Sequence, residues 1–568
     1  MAKQKSYALV KWHGCEQGES LLLVQLITAS IFDENPKYTL REIQEALLEA
    51  QAWHLLPSRS RCDEEENQDP LNLLPLLVPS NNDAALDMIV TIARQGNAKE
   101  TVIAMQESVE RLQSTVRDGE ESGRGSKIVT QLIRLVTVCG IWKLSQMVLT
   151  AVPRLRLRKK GPSDTLRPVL THLGAAVVSL APLTNMDGGR SLISAVSSMI
   201  QVMLPWLYTN VHDDDPDNKI ATACLHFNRF DGLLSDLLYV TLGDCANYIH
   251  SSLAQRRFEA YNPRLVLRSA VLPDSERGKE VMRETLIIAK ELGITSQVLA
   301  SDPHSFGKLV LLAHEQPIAL PTNPNFLQQL VPILTSSIQQ NIAVDESLAL
   351  LLGFLSVTHH QLSQEIVDPL AMLLTPIAST HSHPPTRHVA FRLLGVVLSR
   401  APPPVHLAHL SSLLSDCPFP QMRVAAVGLV KEAFLTADTF GSNSTLFKSA
   451  TIIRTLGPVL FTPDPQDLFM SPSKSSLHKF LESSEPARLT ECLAFYYVLL
   501  KRDTTNSSGI RDRDVLRTVE NGLLAPLRRA LAVWLAESPS MEDHHALMPL
   551  ASLETSLERV DAAVMSLP

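Results

Sequence analysis

The chain has 568 residues, 45% of them hydrophobic and 19% charged. That is more than one compact core holds and too apolar for an unstructured chain. A net charge of -8 and a pI near 6.1 argue against a nucleic-acid-binding surface over the whole chain, though not against a local basic patch.

The predicted elements run as helices from the start. Ser20–Phe32 and Leu40–Trp53 form the first pair, and Thr39 with Glu42 has capping-box spacing. An acidic, polar loop over Pro57–Asp69 leads to Leu71–Val78, Asn82–Arg94 and Ala98–Gln113. In the last of these Val102, Met105, Val109 and Leu112 fall on one helical stripe. Arg117–Ser126 reads as a flexible break, followed by helices over Ile128–Val152, Leu166–Leu183 and Ser191–Tyr208. Lys219–Phe258 is expected to hold two helices, split near Asp231-Gly232 or Gly243. The rhythm continues through Glu280–Leu292, Ser305–His314, Asn325–Gln340, Asp345–Val357 and His360–Leu374. After Pro384–Ala437 come Leu446–Leu460, an exposed proline-rich stretch over Phe461–Ser475, helices over Ser484–Leu500 and Asp512–Leu535, and one amphipathic tail segment. No stretch alternates as a strand does. The 36 prolines sit largely between apolar blocks, where they are expected to stop one helix and start the next.

Pro384–Ala437 contains an internal repeat. Aligned at their arginines, Arg387–Leu398 and Arg423–Phe434 pair Ala390 with Ala426, Leu393 with Leu429, Leu394 with Val430, and Leu398 with Phe434. A third helix, Val405–Leu414, lies between the copies. One helical pair cannot bury its apolar face alone, so neighbours must stack on it. The pattern predicts an all-α fold, a HEAT/armadillo-like helical-repeat solenoid. Its expected parts are an N-terminal helical segment (1–60), a helical-repeat region (71–375), a C-terminal HEAT-like region (384–535), and a C-terminal helix and tail (536–568).

No motif for chemistry stands out. Cys15, Cys62, Cys139, Cys224, Cys245, Cys417 and Cys492 are scattered, with no C-x-x-C pair, as expected of reduced thiols inside a cell. In His212–Asp217 the acids start with calcium-loop spacing. Pro216, Asn218 and Cys224 then stand where a ligand run, a glycine and a glutamate belong. His381, His383, His388, His406 and His409 have neither a cysteine pair nor an HExxH helix, and read as surface histidines. Gly119–Lys127 lacks the ending of a phosphate loop. The basic run Arg154–Lys160 suits a solvated connection better than a nuclear import signal. No metal, cofactor or catalytic residue is expected. The N-terminus lacks the pattern of a signal peptide, and no segment reaches spanning length without a charge or proline. A cytoplasmic protein, also nuclear, is expected, with no membrane and no direct nucleic-acid contact.

Three successive aromatics, Phe495, Tyr496 and Tyr497, cannot share one helical face, because neighbours are ~100° apart. At least one must face outward. Tyr496, Tyr497, Arg502, Arg511 and Arg513 are therefore the candidate partner-binding residues, since tyrosine and arginine are favoured interface anchors. The surrounding sequence, SEPARLTECLAFYYVLLKRD over Ser484–Asp503 and then NGLLAPLR over Asn521–Arg528, resembles the glomulin family. That family also contains the plant aberrant-lateral-root-formation protein and the fungal Yap-binding and kinetochore-associated proteins. Here Ala525 interrupts the tighter LLPLR-like spacing of the family. The resemblance implies a non-enzymatic helical scaffold that works by binding another protein. Yap-binding members imply a role in oxidative stress through a transcription factor or its redox partner. Glomulin implies the alternative, inhibition of a cullin-RING ubiquitin ligase at its RING subunit. A transport-type solenoid adaptor is the alternative from another class.

Overall fold

A computed structural model describes residues 19–32, 38–49, 73–78, 80, 83–122, 140–156, 162–211, 219–265, 273–315, 324–358, 360–437, 445–470, 472–537 and 547–567. These residues are mostly helical and contain no strand. The chain divides into two compact units, one of residues 1–321 with 336–350, the other of residues 322–335 with 351–568. None of the three breaks coincides with the divisions expected at 60–71, 375–384 and 535–536. The tail helix belongs to the second unit, and residues 336–350 count with the first.

The first unit contains α1 (Glu19–Phe32), α2 (Leu40–Glu49), α3 (Leu74–Leu77), α4 (Asp83–Gln95), α5 (Ala98–Ser122) and α6 (140–151). It continues with α7 (Pro162–Leu180), α8 (Met186–Val211), α9 (Lys219–Asp244), α10 (Leu253–Tyr261), α11 (Pro273–Glu291), α12 (Ser296–Ser301) and α13 (Phe306–His314). The Thr39–Glu42 capping box is present: Thr39 N donates to Glu42 Oε2 at 2.9 Å, and Glu42 N to Thr39 Oγ1 at 3.3 Å. α5 runs to Ser122, through part of the expected break, and α9 passes Asp231-Gly232 without interruption. A helix of that length needs no glycine-free interior when it is packed against α7, α8 and α13. The approach of α13 to α9 requires Gly307, because a Cβ there would sit 1.9 Å from Tyr239 O.

Two stretches of this unit, Asp164–Leu183 and Met186–Tyr208, are long and apolar enough to cross a membrane by length and composition. They carry Pro168, Arg190 and Pro205 and contribute many of the unit's buried side chains. Arg190 is buried and donates to the carbonyls of Tyr248 (3.0 Å), Ile249 (3.1 Å) and Asp274 (2.8 Å). Arg154, from the basic run, also works locally: it donates to Ala93 O at 2.7 Å and Gly96 O at 2.6 Å, satisfying carbonyls at the end of α4. Residues 157–160 of that run lie outside the described residues, as do residues 57–69, the His212–Asp217 loop and residues 123–127.

Between and after these come α14 (Pro324–Gln340), α15 (Val344–Val357), α16 (Gln364–Thr380), α17 (Pro384–Ser399), α18 (Pro403–Ser415), α19 (Pro420–Thr436), α20 (Thr445–Lys448) and α21 (Ala450–Leu460). The last helices are α22 (Lys474–Glu482), α23 (Glu485–Arg502), α24 (Arg513–Val519), α25 (Ala525–Glu537) and α26 (Met548–Met565). A π turn over Glu520–Leu524 joins α24 to α25. α16 packs on α17 and α18 on α19, and α19 in turn packs on α23. The repeat alignment holds in three dimensions. Ala390, Leu393, Leu394 and Leu398 of α17 are buried, as are Ala426, Leu429, Val430 and Phe434 of α19. The matched arginines differ in use: Arg387 donates to His381 O at 2.7 Å, Arg423 to Asp464 Oδ2 at 2.8 Å.

Prolines do start α17, α18 and α19, where a missing N–H costs nothing. Others lie inside helices: Pro332, Pro369, Pro376 and Pro458 in this unit. Each removes a ladder hydrogen bond, and the packed flanks hold the helix together across it.

Candidate functional site

The aromatic run sits on α23, whose first turn is locked by a buried ion pair. Arg488 donates to Glu485 at 2.7 and 2.6 Å, to Val459 O at 3.0 Å and to Thr462 O at 2.7 Å. Burial works against its charge, but the hydrogen bonds to Glu485 outweigh that and hold its pKa above the ordinary arginine value. Glu485 also accepts from Asp464 N at 3.0 Å. The helix is thus fixed to the 459–464 segment before the aromatics begin.

The three aromatics then diverge as helical geometry requires. Phe495 is buried with its ring edge-on to Phe434, centroids 6.2 Å apart. Tyr496 is 1% exposed, edge-on to Phe461 at 5.2 Å, and its hydroxyl has no hydrogen-bond partner. Burial first, and then Glu520, push its phenol above the ordinary value. Tyr496 is therefore a core residue and not a partner contact, which corrects the expectation from sequence. Tyr497, at 37% exposed, is the ring that faces outward.

The arginines also separate into roles. Asp503, just after α23, is buried and accepts from Ser507 N (2.9 Å), Ser508 N (2.8 Å) and Ser508 Oγ (2.6 Å). Burial opposes its charge, but these bonds lower its pKa below the ordinary value. Arg511 reaches back to Leu500 O at 2.6 Å and Thr504 O at 3.4 Å, so its guanidinium clamps the loop to the end of α23. It is half-buried structural material, a second correction. Gly509 closes the turn at φ +74°, where any Cβ would also meet Asp512 Oδ2 at 3.1 Å. Arg502 and Arg513 are exposed. Arg517, which the sequence reading missed, lies one turn beyond Arg513 on the same face of α24. Its i+4 spacing from Arg513 was the available signal.

A cavity of about 570 Å³ opens elsewhere in this unit, lined among others by Leu398, Arg400, His406, Leu429, Glu432 and Phe447. His406 is buried with its ring 4.8 Å from Phe447, not on the surface as expected. Burial, and then His409, push its pKa down to about 4, so it is neutral at physiological pH. Arg400 spends its guanidinium on the carbonyls of Thr358 and Leu355. His409 pairs with Asp368 at 2.8 Å. No nucleophile, base and orienting group meet there. Among the described residues no group of three or more His, Cys, Asp or Glu is placed to hold a metal. Cys245 and Cys492 are buried, and burial pushes both thiols up to about 12. Such thiols are protonated and unreactive at neutral pH. Cys417 is also buried and free.

Stacked helical pairs define a helical-repeat protein. Residues 324–566 match the family described as YAP/Alf4/glomulin, itself uncharacterised. The match begins 60 residues before the repeat at Pro384 and covers the expected resemblance in full. No curated protein matches the chain. Among solved structures, a circular tandem repeat protein with novel repeat topology and enhanced subunit contact surfaces is 12% identical. The alignment covers 99% of this chain and 98% of that one at a TM-score of 0.17, and it carries no argument.

Proposed function

We propose that the chain is a non-enzymatic adaptor that acts in the oxidative-stress response by binding a stress transcription factor or its redox partner. The observation that carries this reading is the family match over residues 324–566. The site of action is the cytoplasm, and also the nucleus. Tyr497, Arg502 and Arg513 offer the partner contact.

The test is affinity capture of the full chain from peroxide-treated and untreated cells, followed by reconstitution with each purified candidate. A transcription factor or its thiol-redox partner, bound directly and recovered more strongly after peroxide, is the expected result. Direct binding to a RING or cullin subunit with no stress component would overturn it in favour of ligase inhibition. Recovery of transport cargo or membrane would move it to the solenoid adaptors.

A further inference from the structure

We propose that the last turn of α23, the 503–512 loop and α24 form a docking surface for an acidic segment of the protein partner. This rests on reading the chain as a protein-binding scaffold. In a chain of net charge -8, Lys501, Arg502, Arg511, Arg513 and Arg517 concentrate at one place. The chain path makes it one place: the Arg511 guanidinium is held on Leu500 O, so Arg513 lies at the same end of α23 as Arg502.

The same stretch carries three carboxylates against five cations, and one of the three is withdrawn. Asp503 is buried inside the loop, accepting from Ser507 and Ser508. Asp512 accepts from Asn506 Nδ2 at 2.8 Å. Asp512 and Asp514 are both exposed, and Asp514 lies 3.8 Å from Arg517. Arg502 and Arg513 have no carboxylate within 4.0 Å among the described residues. Arg423, Arg488 and Arg528, by contrast, are all paired. Lys501 is oriented by Ser566 Oγ at 2.8 Å.

The surface is also preformed. Asn506 at φ +52° and Gly509 at φ +74° set the loop path, Ile510 is buried beneath it, and Asp503, Asn506 and Arg511 close its hydrogen bonds. A rigid loop loses little freedom on binding. Exposed guanidiniums with no carboxylate partner among the described residues match a carboxylate-bearing peptide, since guanidinium and carboxylate pair in a two-point geometry. The chain's overall negative charge opposes a long nucleic acid, which needs a positive field over many phosphates.

The experiment measures fluorescence anisotropy of a labelled peptide of alternating glutamate and leucine, titrated with the full chain at low and high salt. Its glutamine counterpart and a single-stranded oligonucleotide serve as competitors. The acidic peptide binds, salt weakens it, and the glutamine peptide does not compete. The triple variant Arg502→Glu, Arg513→Glu, Arg517→Glu weakens binding by about tenfold or more, because charge reversal cuts electrostatic attraction and steering. Arg94→Glu on α4, also exposed, leaves it unchanged. The milder pair Arg502→Gln, Arg513→Gln gives an intermediate loss and guards against misfolding, with circular dichroism as the check. Equal binding by the reversed and unaltered chains, no binding of the acidic peptide, or tighter binding of the oligonucleotide overturns the proposal. If the reversed chain still retains its cellular partner, the docking surface falls and the scaffold reading stands. If neither form retains a partner, both fall.

Discussion

Tyr496 and Tyr497 are adjacent in sequence, yet one lies in the core and one faces water. The buried Tyr496 hydroxyl has no partner, and leaving a donor unmade indoors costs about 1–3 kcal/mol. Tyr496→Phe is therefore expected to leave the urea midpoint unchanged or raised, with partner binding intact. A clear loss of stability would mean that the hydroxyl has a partner after all. The sign at His406 follows from its depressed pKa. Below the unfolded value near 6.5 the unfolded chain takes up a proton that the folded ring refuses until about pH 4. Stability from this residue is intact above about pH 6.5 and falls as the pH drops towards 4, by on the order of 3 kcal/mol. His406→Gln is expected to flatten that part of the stability profile relative to the unaltered chain, measured by denaturant unfolding across the range. At this scale the sequence was half legible. The 100° rule correctly required that one of three aromatics face out, but it could not say which two would be buried. That choice depends on where Phe434 and Phe461 lie, and they come from other elements.

Helices and their repeats were far more legible, because apolar spacing is a local property. Ala390 and Ala426 illustrate it: equivalent in sequence, both are fully buried. Ala390→Leu or Ala426→Leu is expected to destabilise by ~1–3 kcal/mol through overpacking, read as a lowered urea midpoint. An unshifted midpoint would show slack where none is visible. The π turn was not legible. Ala525 N donates five residues back to Glu520 O, so the turn holds one residue more than ordinary helix. A π turn absorbs a single extra residue without rotating the helix beyond it. The orientation of α25 matters because Arg528 bridges Glu520 and Asp561, and Trp534 stacks on Phe480 with centroids 5.0 Å apart. Deleting Ala525 should convert the turn to ordinary helix and change the melting temperature little. Deleting the exposed Ala532 should rotate Trp534 out of its stack and lower the melting temperature sharply. Equal losses from both deletions would refute the reading.

On the scale of the whole molecule, composition foretold a helical protein of more than one core, but not where it divides. The reason is that residues 336–350 are local to α14 and α15 in sequence while their contacts are distant. Asp345 accepts from Leu253 N at 2.6 Å and Ala254 N at 2.9 Å, and so caps α10 from outside that helix. Burial, and then Glu346, hold its carboxyl above the usual range. Arg257 donates to Ala349 O at 2.9 Å and to Ala313 O, and His314 meets Glu346 at 3.3 Å. Even the nearest of these pairs, His314 and Glu346, is 32 residues apart along the chain, so no short window of sequence could reveal them.

The same interleaving bears on how the chain could be cut and put back together. Residues 322–335 count with the later unit and 336–350 with the earlier one. A break between Ile342 and Ala343 leaves the N-terminal piece holding part of the later core. The C-terminal piece keeps Leu348 and Leu350, which are buried in the earlier core. Neither piece is complete alone, and each carries what the other lacks. Pieces 1–342 and 343–568, made separately in one cell, are expected to aggregate when expressed singly and to co-purify when expressed together, as a reporter-free fragment complementation pair. Soluble, independently melting pieces would show that the exchange of segments is dispensable.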